Sequence, residues 1–329
     1  MKTILVAGGA GYIGSHMVAL LVQQGYDVVV VDNLCTGHKE AVTGGRLCVG
    51  DVRDAAFLDR VFKENKIDGV INFAAFSLVG ESCGDPLKYY MNNVAGAMVM
   101  LKTMRDNRVD KIVFSSTAAT YGEPEKQPIE ESDRTEPTNP YGETKLAIEK
   151  MLKWCDTAHG IKYAALRYFN AAGANNLAGI GEDHTPETHL IPVVLQVALG
   201  KRDHIGIFGD DYSTADGTCV RDYIDVRDLV AAHLLALEYL DREATSGIFN
   251  LGNGNGFSVR EIIEVARHVT GHPIPAKIEP RRAGDPSTLV ASNQRAVALL
   301  GWHPQHSALQ DIISSAWNWH LSHPDGYPK

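Results

Sequence analysis

A chain of 329 residues, 44% hydrophobic and 22% charged, is long enough to bury a sizeable core in two lobes. Its formal net charge of −9 argues against nucleic acid or an anionic membrane as a partner, so a negatively charged ligand needs a local cationic pocket. The five scattered cysteines, without C-x-x-C spacing, indicate neither a disulfide framework nor a zinc site.

The sequence starts Met1-Lys2-Thr3 and passes at once into an apolar run, Ile4 to Ala7, which reads as a buried strand. With no signal segment before it and no apolar run of membrane-spanning length, a cytoplasmic protein is expected. The run leads into Gly8-Gly9-Ala10-Gly11-Tyr12-Ile13-Gly14. Gly9, Gly11 and Gly14 satisfy G-x-G-x-x-G, and Gly8, Gly11 and Gly14 also give G-x-x-G-x-x-G. Ile13, Met17, Leu20 and Leu21 then recur at helical spacing, so the glycines sit at a strand-to-helix turn. There a pyrophosphate can approach bare backbone, and the helix N-terminus offers it free N–H groups and a positive dipole.

A second apolar run, Val28 to Val31, ends in Asp32, about 20 positions after the glycines, where a dinucleotide-binding fold places its ribose carboxylate. That carboxylate can accept from both ribose hydroxyls but repels a 2′-phosphate. Asn33-Leu34-Cys35-Thr36 supplies no Arg or Lys to neutralise one, so NAD is expected rather than NADP.

Further strands are expected at Gly69–Phe73, Lys111–Ser115 and Tyr163–Arg167, with helical patterns around Asn93–Met104 and Leu146–Trp154. Repeated βα units predict an α/β fold: a Rossmann-type, doubly wound parallel sheet over residues 1–170. Ligands bind beyond the carboxyl ends of such strands, where Asp32, Phe73-Ala74-Ala75 and Ser115-Ser116-Thr117 fall. From residue 171 glycine, asparagine and proline become frequent, which marks a smaller, mixed α/β substrate-binding lobe over 171–329. Asp222–Val226 and Gly247–Leu251 still read as strands, and returns to the first sheet are expected near 222–228 and 247–252. The last helix, Leu309–Leu321, carries Trp317 and Trp319 as core aromatics. The thirteen histidines lack H-E-x-x-H or comparable spacing; His184 and His189, five apart, read as surface or pocket residues, and no metal site is expected.

Tyr141-Gly142-Glu143-Thr144-Lys145 carries the chemistry. Thr138-Asn139-Pro140 supplies an N-cap and a proline at the first helical position, so Tyr141 and Lys145 share one face of an opening helix. A phenol near 10 is a poor base at neutral pH. Bringing it to about 7 requires roughly 4 kcal/mol, toward which an adjacent ammonium contributes.

Together these residues resemble the extended short-chain dehydrogenase/reductases, and among them the 4-epimerases of UDP-sugars. The similarity spans essentially the whole chain, through Gly8–Gly14, Val79–Ser82, Tyr89–Asn93, Ser115–Gly122, Tyr141–Lys145, Arg167–Asn170, Asp216–Tyr223 and Pro280–Asp285. It implies a hydride shuttle at the sugar C4: Tyr141 takes the hydroxyl proton, Thr117 hydrogen-bonds the reacting oxygen, and Lys145 holds the nicotinamide ribose. The cofactor residues it implies are Gly8, Gly11, Tyr12, Ile13, Gly14, Asp32, Asn33, Asp51, Val52, Phe73, Ala74, Ala75, Asn93, Ser115, Tyr141, Lys145 and Tyr168. For the UDP-sugar it implies Thr117, Tyr141, Asn170, His189, Leu190, Phe208, Arg221, Arg282 and Asp285, with the two arginines on the diphosphate.

Four positions depart from the family pattern. Ser77 stands where many members have a lysine on the cofactor, Thr188-His189 replaces an Asn-Asn pair near the sugar, and Asp225 replaces a histidine. Leu289 occupies a position whose bulk decides whether an N-acetylated sugar fits. A UDP-N-acetylhexosamine or UDP-xylose/arabinose 4-epimerase shares the same C4 chemistry and is the alternative. A 4,6-dehydratase needs an acid after the catalytic Thr, and Thr117-Ala118-Ala119 has none. A non-catalytic NAD-binding protein would have lost Thr117, Tyr141 or Lys145. The resemblance also implies a homodimer that pairs two helices of the first lobe from each chain.

Overall fold

The computed structural model describes residues 1–282 and 285–328; Ala283 and Gly284 of the Pro280–Asp285 motif lie outside the described residues. Seven parallel strands form the main sheet: β1 (Thr3–Ala7), β2 (Asp27–Asp32), β3 (Arg46–Val49), β4 (Gly69–Asn72), β5 (Lys111–Ser115), β6 (Lys162–Tyr168) and β10 (Gly247–Leu251), in the order β10-β6-β5-β4-β1-β2-β3. Alternate residues bury on opposite faces. Ile4, Val6, Val28 and Val30 enter one core, and Leu5, Ala7, Val29 and Val31 the other. Two-sided burial is why these strands read as unbroken apolar runs. Strand β3 escapes such a reading because it is a short edge strand with Arg46 and Val49 exposed.

Helices α1 (Tyr12–Gln23) and α8 (Val226–Glu243) pack together over one face. On the other lie α2 (Ala55–Asn65), the short α3 (Val79–Gly84) and α4 (Pro86–Tyr89), α5 (Ala95–Asp106) and α6 (Pro140–His159). The order reverses between β1 and β4, which opens a crevice at the carboxyl ends of those strands.

The remaining residues build the second lobe. A small sheet joins β7 (Asn170–Ala172), β9 (Val220–Asp225), β11 (Gly256–Ser258) and β13 (Thr288–Leu289); β8 (Ile205–Phe208) pairs with β12 (Ala276–Glu279). Around them pack α7 (Leu190–Ala198), α9 (Val259–Thr270) and α10 (Leu309–Ser322). Trp317 and Trp319 of α10 are both buried.

Of the two expected returns, Gly247–Leu251 pairs with β6 and completes the main sheet. The strand at 222–226 does not return: β9 belongs to the small sheet, and it is α8 behind it that comes back to the first lobe. A strand inside the main sheet needs apolar residues on both faces. In β9 the buried Asp222 instead accepts backbone N–H groups of Asn253 and Ala291, at 2.8 and 3.1 Å, from loops of the second lobe.

His16 ties the lobes together. Its Nδ1–H donates to the Tyr12 carbonyl (2.8 Å), and its Nε2 accepts the Asn175 N–H (3.2 Å) beyond β7. Accepting the Asn175 N–H needs the neutral ring, and burial pushes the imidazole down to about 4. A depressed histidine contributes stability that is present above its unfolded value and lost as pH falls. Between about pH 6.5 and 4 His16 should therefore cost about 3 kcal/mol of stability, at about 1.4 kcal/mol per unit. Urea unfolding across that range should show the slope, and His16→Gln should flatten it; an unchanged slope in the variant would refute the assignment.

Candidate active site

The glycine turn joins β1 to α1. A Cβ on Gly14 would fall 2.0 Å from the Gly8 carbonyl oxygen, so helix and turn could not pack as they do. Gly11 is different: its Cβ would meet only that same oxygen, at 3.4 Å, and otherwise faces open space. Gly11 also N-caps α1 without any side-chain cap, which leaves the first-turn N–H groups of a 12-residue helix available to an anion. Asp32 ends β2, buried, its two oxygens accepting the N–H groups of Ala10 (3.0 Å) and Leu34 (2.8 Å). It thus braces the turn and keeps lone pairs for a ribose. The open cradle, free N–H groups and carboxylate fit a dinucleotide without a 2′-phosphate.

Other cofactor candidates surround this turn. Ile13 packs on the α1 face of the core, and the Tyr12 hydroxyl donates to the Gly173 carbonyl (2.7 Å). Asn33 donates to Asp51 (3.3 Å), whose carboxylate grips the Arg53 guanidinium at 2.8 and 2.6 Å and is held well below the usual carboxylate range. Val52 packs on the opposite core. Phe73, Ala74 and Ala75 follow β4, with Phe73 donating to the Ala7 carbonyl (2.8 Å) and Ala74 to the Asn72 side chain (3.1 Å). Asn93 works at one remove: it bonds both backbone groups of Phe76 and donates to Thr144 on α6 (3.2 Å). Ser77 lies in the same loop.

Helix α6 begins as its sequence directs. Asn139 N-caps it by accepting the Gly142 N–H (2.9 Å), and Pro140 takes the first turn. The Tyr141 N–H donates to Ser82 of α3 (3.2 Å). Lys145 is buried and donates to the Ser115 carbonyl at the end of β5 (2.8 Å), with its nitrogen 5.8 Å from the Tyr141 ring centre. The Ser115 hydroxyl meets the Tyr168 hydroxyl at 2.5 Å. Thr117 extends from β5; its hydroxyl accepts the Ala119 N–H (3.2 Å) and lowers the Tyr141 phenol's pKa.

One expectation requires correction. The sequence suggests that Lys145 lowers Tyr141 toward neutrality, yet burial pushes Tyr141 up to about 12 and the Thr117 hydroxyl only partly offsets this. Burial also brings Lys145 down to about 7, opposed by the Glu149 carboxylate. Desolvation penalises both charged forms and is the largest cause of both shifts. Making the phenolate requires further positive charge in the pocket.

Two features beneath the site are not legible in the Tyr141–Lys145 motif alone. Glu149, one turn beyond Lys145, accepts from Ser116 (2.5 Å) and from Arg167 at 2.9 and 2.5 Å, and this trio is buried. It locks the end of β5 to α6 and β6. Arg167→Met should leave the Glu149 charge unpaired and cost about 3–5 kcal/mol in stability; a thermal midpoint within a degree of the parent's would disprove that. Gly142 is the second feature, since a Cβ there would lie 2.5 Å from the Ala119 carbonyl oxygen. Its bareness lets α6 approach the turn after Thr117, which brings hydroxyl and phenol together.

On the second lobe, Asn170 opens β7 and donates to the Asp222 carbonyl (3.0 Å). Leu190 starts α7 behind its N-cap His189, and Phe208 ends β8. Arg282 lies over the Phe208 ring, its guanidinium carbon 3.9 Å from the ring centre. Arg221 donates to Asp285 (2.7 Å) and to its neighbour's carbonyl (2.8 Å), so these two substrate candidates hold each other. Leu289 pairs in register with Arg221. Asp225 has a local explanation: it N-caps α8 through the Arg227 N–H (2.9 Å) and clasps the Arg227 guanidinium. His189 meets Glu182 at 2.6 Å rather than standing apart.

A glycine cradle on a doubly wound sheet, with a half-buried Tyr141 beside a buried Lys145 across the crevice, defines a nicotinamide-dependent enzyme of the short-chain type. The chain belongs to the NAD dependent epimerase/dehydratase family, which matches residues 4–252. A UDP-glucose 4-epimerase of Halalkalibacterium halodurans is 60% identical over 98% of this chain and 97% of its own. A crystal structure of a UDP-glucose 4-epimerase, 58% identical, covers 100% of both chains with a TM-score of 0.98. Another, from Brucella ovis in complex with NAD, is 47% identical, has a TM-score of 0.95 and covers 97% of this chain and 98% of that one. Among the described residues, no helix is long and apolar enough to cross a membrane.

Proposed function

We infer that the chain is an NAD-dependent isomerase that interconverts UDP-glucose and UDP-galactose through a 4-keto sugar. The observation that carries this reading is the Thr117–Tyr141–Lys145 cluster at the end of β5, set in a chain that aligns end to end with UDP-glucose 4-epimerases. Bound NAD supplies the acceptor and donor of hydride at the sugar C4. Tyr141 takes the proton from the 4-hydroxyl and later returns it, and Thr117 steadies the same oxygen. Lys145, fixed by the Ser115 carbonyl, holds the nicotinamide ribose and contributes charge toward the phenolate. The 4-keto sugar turns over about its diphosphate link and is reduced on its other face, so no net oxidation occurs.

Such a site must grip the nucleotide tightly and the sugar loosely, which puts binding energy on the UDP half, remote from the reaction. Arg221 and Arg282 meet the diphosphate in this reading. Asn170, His189, Leu190 and Phe208 line the nucleotide and sugar, and Asp285 lies near the uridine ribose. The cofactor residues are those gathered around the glycine turn and the ends of β2, β4 and β5, with residues 1–170 as the NAD lobe and 171–329 as the UDP-sugar lobe. We assign the protein to galactose metabolism in the cytoplasm. We further propose a homodimer, supported by the exposure of Leu87 (73%), Met91 (61%), Met98 (55%) and Trp154 (69%) on α4, α5, α6 and the segment between the first two.

A panel of UDP-hexoses, UDP-pentoses and UDP-N-acetylhexosamines tests the reading. UDP-glucose and UDP-galactose should interconvert fastest, with no continuous cofactor supply. Consumption of added NAD in step with substrate would instead mark a net dehydrogenase. Preference for the N-acetylated sugars would shift the assignment to the wider-pocket epimerases, with Leu289 as the determinant.

A further inference from the structure

The loop between β7 and α7 gathers four side chains that the hydride shuttle does not use together. One ligand atom from each of Glu182, His184, Glu187 and His189 lies within 4.8 Å of all the others. We propose that these four residues bind one divalent transition-metal ion of the zinc class.

The geometry is close to what such an ion requires. Zinc bonds nitrogen and carboxylate oxygen at about 2.0–2.2 Å, which sets tetrahedral ligand atoms about 3.3 Å apart. His184 Nδ1 lies 3.2 Å from Glu182 Oε1 and 3.6 Å from Glu187 Oε2, and His189 Nδ1 lies 3.5 Å from Glu187 Oε1. The His189–Glu182 pair, at 2.6 Å, must open, and one Glu187 oxygen must turn to face both imidazoles, since His184 now meets Oε2 and His189 Oε1. A second observation points the same way. His184 Nδ1 is shielded from solvent yet makes no hydrogen bond, a buried nitrogen left facing two carboxylates.

The surroundings suit a resident ion. The Glu182 and Glu187 side chains are each 4% exposed, so two negative charges lie together out of water. Glu187 Oε1 accepts the N–H groups of Thr188 (2.7 Å) and His189 (2.8 Å), which fixes the orientation of that carboxylate as ligand partners commonly do. His189 is half exposed, and a cavity of about 620 Å³ borders Glu182, His184 and Glu187, so an entry path exists. Two imidazoles with two carboxylates match zinc-like ions, whereas calcium and magnesium take all-oxygen shells. The spacing 182, 184, 187, 189 belongs to a loop, which the helical H-E-x-x-H pattern does not describe.

The ion would act as a staple. It would fix the loop onto the start of α7, where His189 is the N-cap, and beside Tyr12 of α1, whose ring centre is 6.3 Å from that of His184. No catalytic part is assigned to it.

The test uses untagged protein stripped with EDTA, titrated with zinc sulfate by calorimetry, then passed through gel filtration and assayed for metal by mass spectrometry. One zinc per chain should be retained and should raise the thermal midpoint, while magnesium should do neither. His184→Gln should weaken zinc binding by at least about 100-fold, since even the partners of ligands are worth about 10–100-fold. His303→Gln, at an exposed site elsewhere, should bind as the parent does. No retained zinc, or equal affinity in the parent and His184→Gln, would overturn the proposal and leave the four residues as an ion-pair cluster. Should His184→Gln fail to fold, cobalt added to the unaltered protein decides: intense visible bands of a tetrahedral site support it, and the weak spectrum of hydrated cobalt rejects it.

Discussion

Tyr141→Phe is expected to cut turnover by about 10²–10⁴-fold, the range of a lost general acid–base, while fold and cofactor binding persist. The phenyl ring preserves the packing, and the Tyr141 backbone N–H bonds Ser82 independently of the phenol. What disappears is the phenol that carries the 4-hydroxyl proton in the proposed shuttle. Since burial pushes the phenol up to about 12, the parent should also show an alkaline-rising limb in its rate, governed by formation of the phenolate. In Tyr141→Phe the residual rate should lose that limb. Rapid-quench turnover of UDP-galactose across pH checks both points, and near-parental rates in the variant would remove Tyr141 from the mechanism.

Arg221→Leu should have the second-largest effect, on binding. The Arg221 side chain is 14% exposed and held by Asp285 and the Val220 carbonyl, so its position is set before a diphosphate meets it. A charge-assisted hydrogen bond is worth about 1.5–3 kcal/mol, which at about 1.4 kcal/mol per decade raises KM by about 10–100-fold. A subtler signature should accompany it. With the nucleotide half loosened, some 4-keto sugar departs before reduction and strands the cofactor in its reduced form. Near-ultraviolet absorbance of reduced nicotinamide should therefore build up during turnover in Arg221→Leu and not in the parent. Unchanged KM and no such absorbance would show that Arg221 serves only its contact with Asp285.

Much of the first lobe can be read directly because its strands are buried on both faces, so each is an apolar run bounded by turns. The ligand-facing ends follow from the parallel order, and Asp32, Phe73-Ala74-Ala75 and Ser115-Ser116-Thr117 fall there. What resists reading is held by contacts distant in sequence. Strand β9 looks apolar enough for the main sheet, but its direction is decided by Asp222 and the loops at Asn253 and Ala291. The depth at which Tyr141 and Lys145 lie also depends on the whole pocket, so their shared helical face could be foreseen and the sign of Tyr141's shift could not. Glu149 had a visible signal in hindsight, being one further turn along the Tyr141–Lys145 face; Arg167 stood in a matching motif, but nothing there joined it to Glu149.

The path of the chain through the main sheet has a bearing on engineering. Strand β10 is laid against β6 only after the chain has run out through β7, α7, β8 and β9 of the second lobe and back through α8. A fragment ending at residue 170 would leave β6 as a raw border, with its N–H and C=O groups free to zip onto other copies and precipitate. Transplanting the nucleotide module into another scaffold therefore means carrying α8 and β10 with it, spliced back through a short linker.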